Sequence, residues 1–137
     1  MSTDRDEAAG GDARNARGPD EHEPDRARKV RLDELPSATP RQGVTRRRLL
    51  GQRIELIAYR YEPGTVFPRH AHAAEQMTIV QSGVLVFAFD EGEMRLEAGE
   101  AVTIPGGVPH GAHVPEDAAG PTETLNVFTP VREAPPG

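Results

Sequence analysis

From Val44 onward the chain breaks into short extended runs separated by turn residues. Arg53 to Tyr61 is apolar and β-branched enough for a long strand, and Pro63-Gly64 ends it. Gln76 to Gln81 reads as a strand closed by Ser82-Gly83, Val84 to Phe89 follows, and Glu91-Gly92 leads into Glu93 to Glu97. Ala98-Gly99 turns the chain into Ala101 to Ile104, which stops at Pro105-Gly106-Gly107. His110 to Val114 and Thr124 to Phe128 complete the set. Turns at a spacing of roughly 8–12 residues mark an all-β sandwich or barrel. No window shows a 3.6-residue apolar period. The fold predicted from this pattern is all-β.

Residues 1 to 35 differ in kind. They run through Asp, Arg, Glu, Gly, Ala and Pro, with Val30, Leu32 and Leu35 the first candidates for burial. Such a segment cannot bury enough apolar surface to offset its conformational entropy, so it is predicted to be a disordered tail. Leu35-Pro36 marks where the chain joins the fold, because the residue before proline prefers an extended backbone. The predicted organisation is a tail over 1–35, one domain over 36–132 and a flexible C-terminus over 133–137. A core of about 100 residues buries roughly 60–70% of its unfolded surface, enough to fold alone.

Several function classes fall away. The net charge of −6 opposes broad binding to nucleic-acid phosphates. No stretch approaches the roughly 20 apolar residues of a membrane helix. The N-terminus lacks the apolar centre of a secretory signal, and a cytoplasmic location is the default expectation. Cysteine is absent, so thiolate ligands and disulfides are excluded. Arg46, Arg47 and Arg48 form one basic cluster, read as a solvated or edge-strand face. A homodimer through sheet edges is compatible with the pattern.

The histidines carry the chemistry. Gly64 is followed by five residues, then His70-Ala71-His72, Gln76 and Gly83. Gly99 is followed by five residues, then Pro105, Gly107 and His110. Side chains two apart on a strand point to one face, about 6.6–6.8 Å apart along the chain. Two imidazoles so placed can converge on one ion at about 2.0–2.1 Å each. Gln76 opens the next strand and can add a carbonyl oxygen, and His110 can face the pair from a later strand. His22 and His113 are read as non-ligands.

This joint pattern of glycines, proline and histidines resembles the two cupin motifs, over about residues 44–132. The resemblance implies a double-stranded β-helix, or jelly-roll barrel, holding one divalent metal through His70, His72, Gln76 and His110. The position usually held by Glu carries Gln76. Reading the adjacent Glu75 as the ligand would point it to the other face of the strand. An amide in place of a carboxylate leaves the ion with more net positive charge, which favours Lewis-acid work on an oxygen-rich substrate. Val114 stands where the second motif often carries Asn. Donors of this kind suit Zn, Fe, Ni, Mn or Cu without choosing among them.

The string Asn126-Val127-Phe128-Thr129-Pro130-Val131-Arg132 is similar to the end of the pectin-degradation uronate cupins, which usually read Asp-Val-Phe-Ser-Pro-Pro-Arg. Those enzymes open the ring of 4,5-unsaturated monouronates. The resemblance implies an isomerase or lyase acting on a small oxygenated, carboxylate-bearing molecule, with Asn126, Phe128 and Arg132 at the matching site positions. Asn126 cannot shuttle a proton as a carboxylate can. Arg132 is suited to clamp a carboxylate bidentately. Tyr59 and Tyr61 share one strand face and, if it is inward, either hydroxyl can donate to substrate. Two alternatives stay open: a tailoring enzyme of secondary metabolism, either a cyclase or a metal-dependent oxygenase, and a small-molecule-binding cupin without catalysis.

Overall fold

A computed structural model describes residues 26–131. Ten strands follow in chain order: β1 Ser37–Arg41, β2 Val44–Leu50, β3 Glu55–Tyr61, β4 Val66–His70, β5 Glu75–Ser82, β6 Val84–Phe89, β7 Gly92–Glu97, β8 Ala101–Ile104, β9 His110–His113 and β10 Thr122–Thr129. They form a six-stranded sheet, β1-β2-β3-β10-β5-β8, facing a four-stranded sheet, β4-β9-β6-β7. Every pairing is antiparallel. This is the jelly-roll arrangement, and no α-helix occurs among the described residues.

Three strands go beyond the sequence-based set. β1 and β2 extend the larger sheet past β3, and β4 starts the smaller one. Arginine-rich β2 was hidden by its charges. Its inward parity is Val44, Arg46, Arg48 and Leu50, so the Arg46-Arg47-Arg48 cluster is not a solvated face. Arg46 is only 7% exposed and hydrogen-bonds Tyr59. Arg48 Nε lies 2.8 Å from Glu55 Oε2, and the Glu55 side chain is fully buried. An ion pair so placed needs both members, since a lone charge there would be uncompensated.

Residues 26–35 also differ from the expected disordered segment. Leu32–Glu34 form a short 3-10 helix. The segment is tied to β2: Arg28 Nη2 donates to Leu50 O at 3.1 Å, and Arg47 Nη1 donates to Asp33 O at 2.7 Å and Leu35 O at 2.6 Å. Val30 and Leu35 are half-buried and Leu32 is exposed, so polar contacts rather than apolar burial fix this stretch. The tail over 1–25 and the C-terminus over 133–137 lie outside the described residues, as does Arg132.

The core fills the space between the sheets with Val44, Ile57, Val80, Leu85, Phe87, Ile104, Val114 and Phe128. Register sets what else points inward. On the larger sheet, Glu55, Phe128, Gln76 and Ile104 stand side by side across β3, β10, β5 and β8. The next row inward is Ile57, Asn126 and Thr78. The following one is Arg46, Tyr59, Thr124 and Val80. Polar side chains thus enter the barrel on strands whose alternation alone does not reveal which face is wet.

Candidate metal centre

His70, His72 and His110 bring one ring nitrogen each to within 4.8 Å of one another. His110 starts β9 and pairs directly with His70 at the end of β4. β4 ends at His70, so His70 and His72 do not share a strand face as the sequence suggests. Between Phe67 and His70 the register slips, and His72 sits in the connection to β5. The loop carrying Pro105 fixes that connection. Gly107 N donates to His72 O at 2.7 Å. A Cβ on Gly106 would lie 2.2 Å from Ala73 O, so only glycine allows this approach. Gly107 itself has φ of 86°, a conformation that glycine adopts without strain.

The ring orientations are set by backbone carbonyls. Nδ1 of His70 lies 3.1 Å from Pro68 O, Nδ1 of His72 lies 2.9 Å from Ala74 O, and Nδ1 of His110 lies 2.8 Å from Val108 O. A carbonyl only accepts, so each Nδ1 donates to its carbonyl and each ring turns its Nε2 into the cluster. His110 Nε2 is buried without any hydrogen-bond partner. Burial, with smaller contributions from His70, His72 and Arg69, lowers the His110 pKa to about 4, although the Val108 carbonyl opposes the shift. The ring is therefore neutral at pH 7 and needs no proton loss to act as a ligand.

Gln76 adds a fourth donor, and a directed hydrogen-bond chain fixes which end of its amide faces the histidines. Asn126 Nδ2 lies 3.5 Å from Ile57 O and donates to Thr124 Oγ1 at 2.8 Å. Its Oδ1 therefore faces Thr78, whose hydroxyl donates to it at 2.7 Å. Thr78 Oγ1 accepts from Gln76 Nε2 at 2.9 Å. That leaves Gln76 Oε1 3.0 Å from His72 Nε2. That separation suits neighbouring ligands of one ion at about 2.0–2.1 Å each. The orphaned His110 Nε2, the two further ring nitrogens beside it and the inward amide oxygen fit a divalent cation. Glu75 is exposed on the opposite face of β5.

A chamber of about 40 Å³ opens beside His70, His110 and Gln76. Its walls include Tyr59, Tyr61, Phe67, Phe87, Phe128 and Asn126. The four Phe and two Tyr are the full aromatic complement of the chain. Five of them line this space and Phe89 stacks behind Phe87: Tyr59 and Tyr61 stack at 5.2 Å, both meet Phe67 edge-on, and Phe128 meets His72 at 5.8 Å. Tyr59 and Tyr61 face inward, as their shared parity allows. Burial pushes both phenols well above the ordinary range, so both stay protonated. Tyr61 OH lies 3.4 Å from Thr124 Oγ1, at the far end of the Gln76 chain. Phe128 serves the core and a ligand ring at once. Asn126 is buried and occupied by Thr78 and Thr124.

Sequence reasoning missed Thr78, Thr124, Arg46, Arg48 and Glu55 as interior groups. Strand parity with Gln76, Asn126 and Tyr59 carried the signal for Thr78, Thr124 and Glu55, and parity with Val44 and Leu50 carried it for Arg46 and Arg48.

Two facing antiparallel sheets with an interior three-histidine cluster able to hold a metal ion define a small β-barrel of one class. The chain belongs to the cupin family: residues 58–128 match the cupin domain. Among solved structures it is similar to KdgF from Halomonas sp., with 20% identity, 78% of this chain and 96% of that one covered, and a TM-score of 0.71. It is also similar to the polyketide cyclase RemF from Streptomyces resistomycificus, with 24% identity, 80% and 83% covered, and a TM-score of 0.68. A sugar phosphate isomerase of the cupin superfamily from Silicibacter pomeroyi shares 22% identity over 74% of this chain and 75% of that one, with a TM-score of 0.62. At these identities the likeness is one of fold. No curated protein matches the chain. Among the described residues, no helix is long and apolar enough to cross a membrane.

Proposed function

We propose that this cupin is a metal-dependent isomerase or lyase acting on a small oxygenated, carboxylate-bearing molecule such as an unsaturated uronate. The observation that carries the reading is the convergence of three carbonyl-anchored imidazoles and one oriented amide oxygen on a single point. His70, His72, His110 and Gln76 would hold Zn, Ni, Fe or Mn. Bound there, the ion supplies Lewis-acid polarisation of a substrate oxygen, or lowers the pKa of water toward about 7.

The protein's own groups divide the remaining work. Tyr61, and Tyr59 behind it, stay protonated and act as donors to a substrate oxygen rather than as bases. Asn126 orients and does not shuttle protons. Phe128 and the other rings exclude water and hold the substrate's apolar edge. Arg132 is assigned the carboxylate clamp, on the strength of its place in the C-terminal string. The names of two similar structures, KdgF and a sugar phosphate isomerase, support this class.

A specific observation favours a second reading, a cyclase-type or oxygen-using tailoring enzyme. The chamber wall is rich in Phe and Tyr and carries no Lys or Arg among its described lining residues. Such a wall suits a flat, weakly charged ring. A polyketide cyclase is among the similar structures. Protein loaded separately with Zn, Ni, Mn and Fe(II) and incubated with unsaturated galacturonate distinguishes the two. Proton NMR should show the ring-opened product. No turnover with any metal, together with oxygen uptake or cyclisation of an aromatic substrate, overturns the first reading. Tight retention of ligand without change would mark a binding protein.

A further inference from the structure

Three guanidiniums stand one layer behind the Phe and Tyr wall of the chamber. β2 sends Arg46 and Arg48 inward between buried Val44 and Leu50. Register sets Arg46 beside Tyr59 and Arg48 beside Ile57. β1 adds Arg41, which pairs with Val44 in the row that holds Tyr61. Arg41 Nη2 donates to Val66 O, its guanidinium covers the Phe67 ring at 4.6 Å, and its Nε is buried without a hydrogen-bond partner. Arg46 donates to the Tyr59 hydroxyl. Tyr59 and Phe67 both line the chamber, so Arg46 and Arg41 each lie one ring away from it. The inner face of the larger sheet thus carries three cations, and Glu55, bound to Arg48, is its one carboxylate among the described residues. No Asp or Glu stands among the described lining residues of the chamber. An excess of positive charge inside a barrel is costly, and an anion brought into the same low-dielectric space offsets it. The charge is felt at the wall. Burial raises both phenols, while Arg46 and Arg48, with Glu55 opposing them, pull Tyr59 back down, and Arg41 does the same at Tyr61.

We propose that Arg46, supported by Arg41 and Arg48, makes the chamber select an anionic ligand over a neutral one of the same shape. The inference rests on the reading above for the ligand's place beside the metal centre, and it names the groups that recognise the ligand's charge. Arg46 acts through the Tyr59 ring, so it determines specificity and is not a catalytic residue. At about 7 Å, the length of one tyrosine ring, and an effective dielectric constant of about 20, one guanidinium shifts the affinity for a unit negative charge roughly tenfold or more. Water and salt screen such an interior charge little. They do screen Arg60, which lies half-exposed on the outer face of β3 and faces Glu123.

Acetate and acetamide are nearly the same size and shape and differ in charge. Their affinities for the full chain supplied with Zn, read by NMR titration, give a ratio that isolates the charge. Zn itself favours acetate, but equally in every variant, so a change in the ratio reports the arginines. Arg46→Met should lower the acetate-to-acetamide ratio about tenfold or more, with acetamide affinity and Zn content unchanged. Arg46→Lys keeps the charge and should hold the ratio within about threefold of wild type. Arg41→Met, on the partly exposed edge strand, guards against a folding defect at Arg46 and should lower the ratio about threefold or more. Arg60→Met should leave it unchanged. A ratio unmoved by both Arg46→Met and Arg41→Met, or moved as far by Arg60→Met, overturns the proposal. So does a wild type that binds acetate no better than acetamide. An Arg46-dependent ratio without uronate turnover would sink the reaction proposed above and leave this inference standing, and turnover with an Arg46-independent ratio would do the reverse.

Discussion

Replacing Thr78 with Val removes one hydroxyl and nearly nothing else, yet it should damage both stability and metal affinity. That hydroxyl accepts from Gln76 Nε2 at 2.9 Å and donates to Asn126 Oδ1 at 2.7 Å, and Thr78 is fully buried. Valine keeps the volume and leaves two buried polar atoms without partners. Each orphan costs about 1–3 kcal/mol, so the loss is roughly 2–6 kcal/mol. In a domain of this size about 1 kcal/mol moves Tm by roughly 4–8 °C, so a fall of at least ~10 °C is expected by calorimetry. The second effect is specific. Without Thr78 nothing selects which end of the Gln76 amide faces the histidines, and an NH2 group is no ligand. Outer partners of metal ligands typically contribute about 10–100-fold in affinity. Titration of Zn or Ni against the Thr78→Val protein should show a loss of that size. Thr124→Val is the comparison: it breaks the far link to Asn126 Nδ2, which keeps its Ile57 contact, so Tm falls while metal affinity holds. If Thr78→Val binds metal within twofold of wild type, the chain does not orient Gln76, and its place in the donor set must be abandoned.

Four further outcomes are expected. Adding metal at about a hundred times its Kd should stabilise the protein by roughly 2.7 kcal/mol, an effect that EDTA reverses and His110→Ala abolishes. In metal-free protein, the burial-lowered pKa of His110, about 4 against 6.5 in the unfolded chain, makes the unfolded state bind the extra proton in that interval. Stability is then full above pH 6.5 and falls by roughly 2–3 kcal/mol as pH drops to 4, and His110→Asn should flatten the slope of urea midpoints across the window. Gly106→Ala must displace the Ala73 carbonyl, 2.2 Å from the added Cβ, and with it neighbouring His72; metal affinity should fall tenfold or more while the circular dichroism stays that of a β-barrel. Arg48→Met strands Glu55 in the core and should cost about 3–5 kcal/mol, most of it regained in Arg48→Met with Glu55→Leu.

Much of this protein was legible in one dimension. The spacing of turn residues predicts the strands from Arg53 onward except β4, and glycines, proline and histidines at fixed intervals mark the cupin fold that residues 58–128 confirm. The preference for Gln76 over Glu75 follows from its position in the first motif, with parity sending the adjacent Glu75 to the other face, and the structure places Glu75 outside and Gln76 inside. These are local or periodic properties, so the order of residues suffices to state them.

The rest depends on which strands become neighbours. Thr78 and Asn126 are 48 residues apart, Arg28 and Leu50 are 22 apart, and Glu55 meets Arg48 only because β2 folds back on β3. The alternation of β10 names two faces without saying which one is inside; closure against β4, β9 and β6 decides that, sending its polar side inward and its apolar side to the surface. His70 and His72 converge through a register slip and a loop held by Gly106 and Gly107, not through strand geometry. Alternation along a chain fixes relative side, whereas burial is a property of the closed barrel, and only tertiary contacts can assign it.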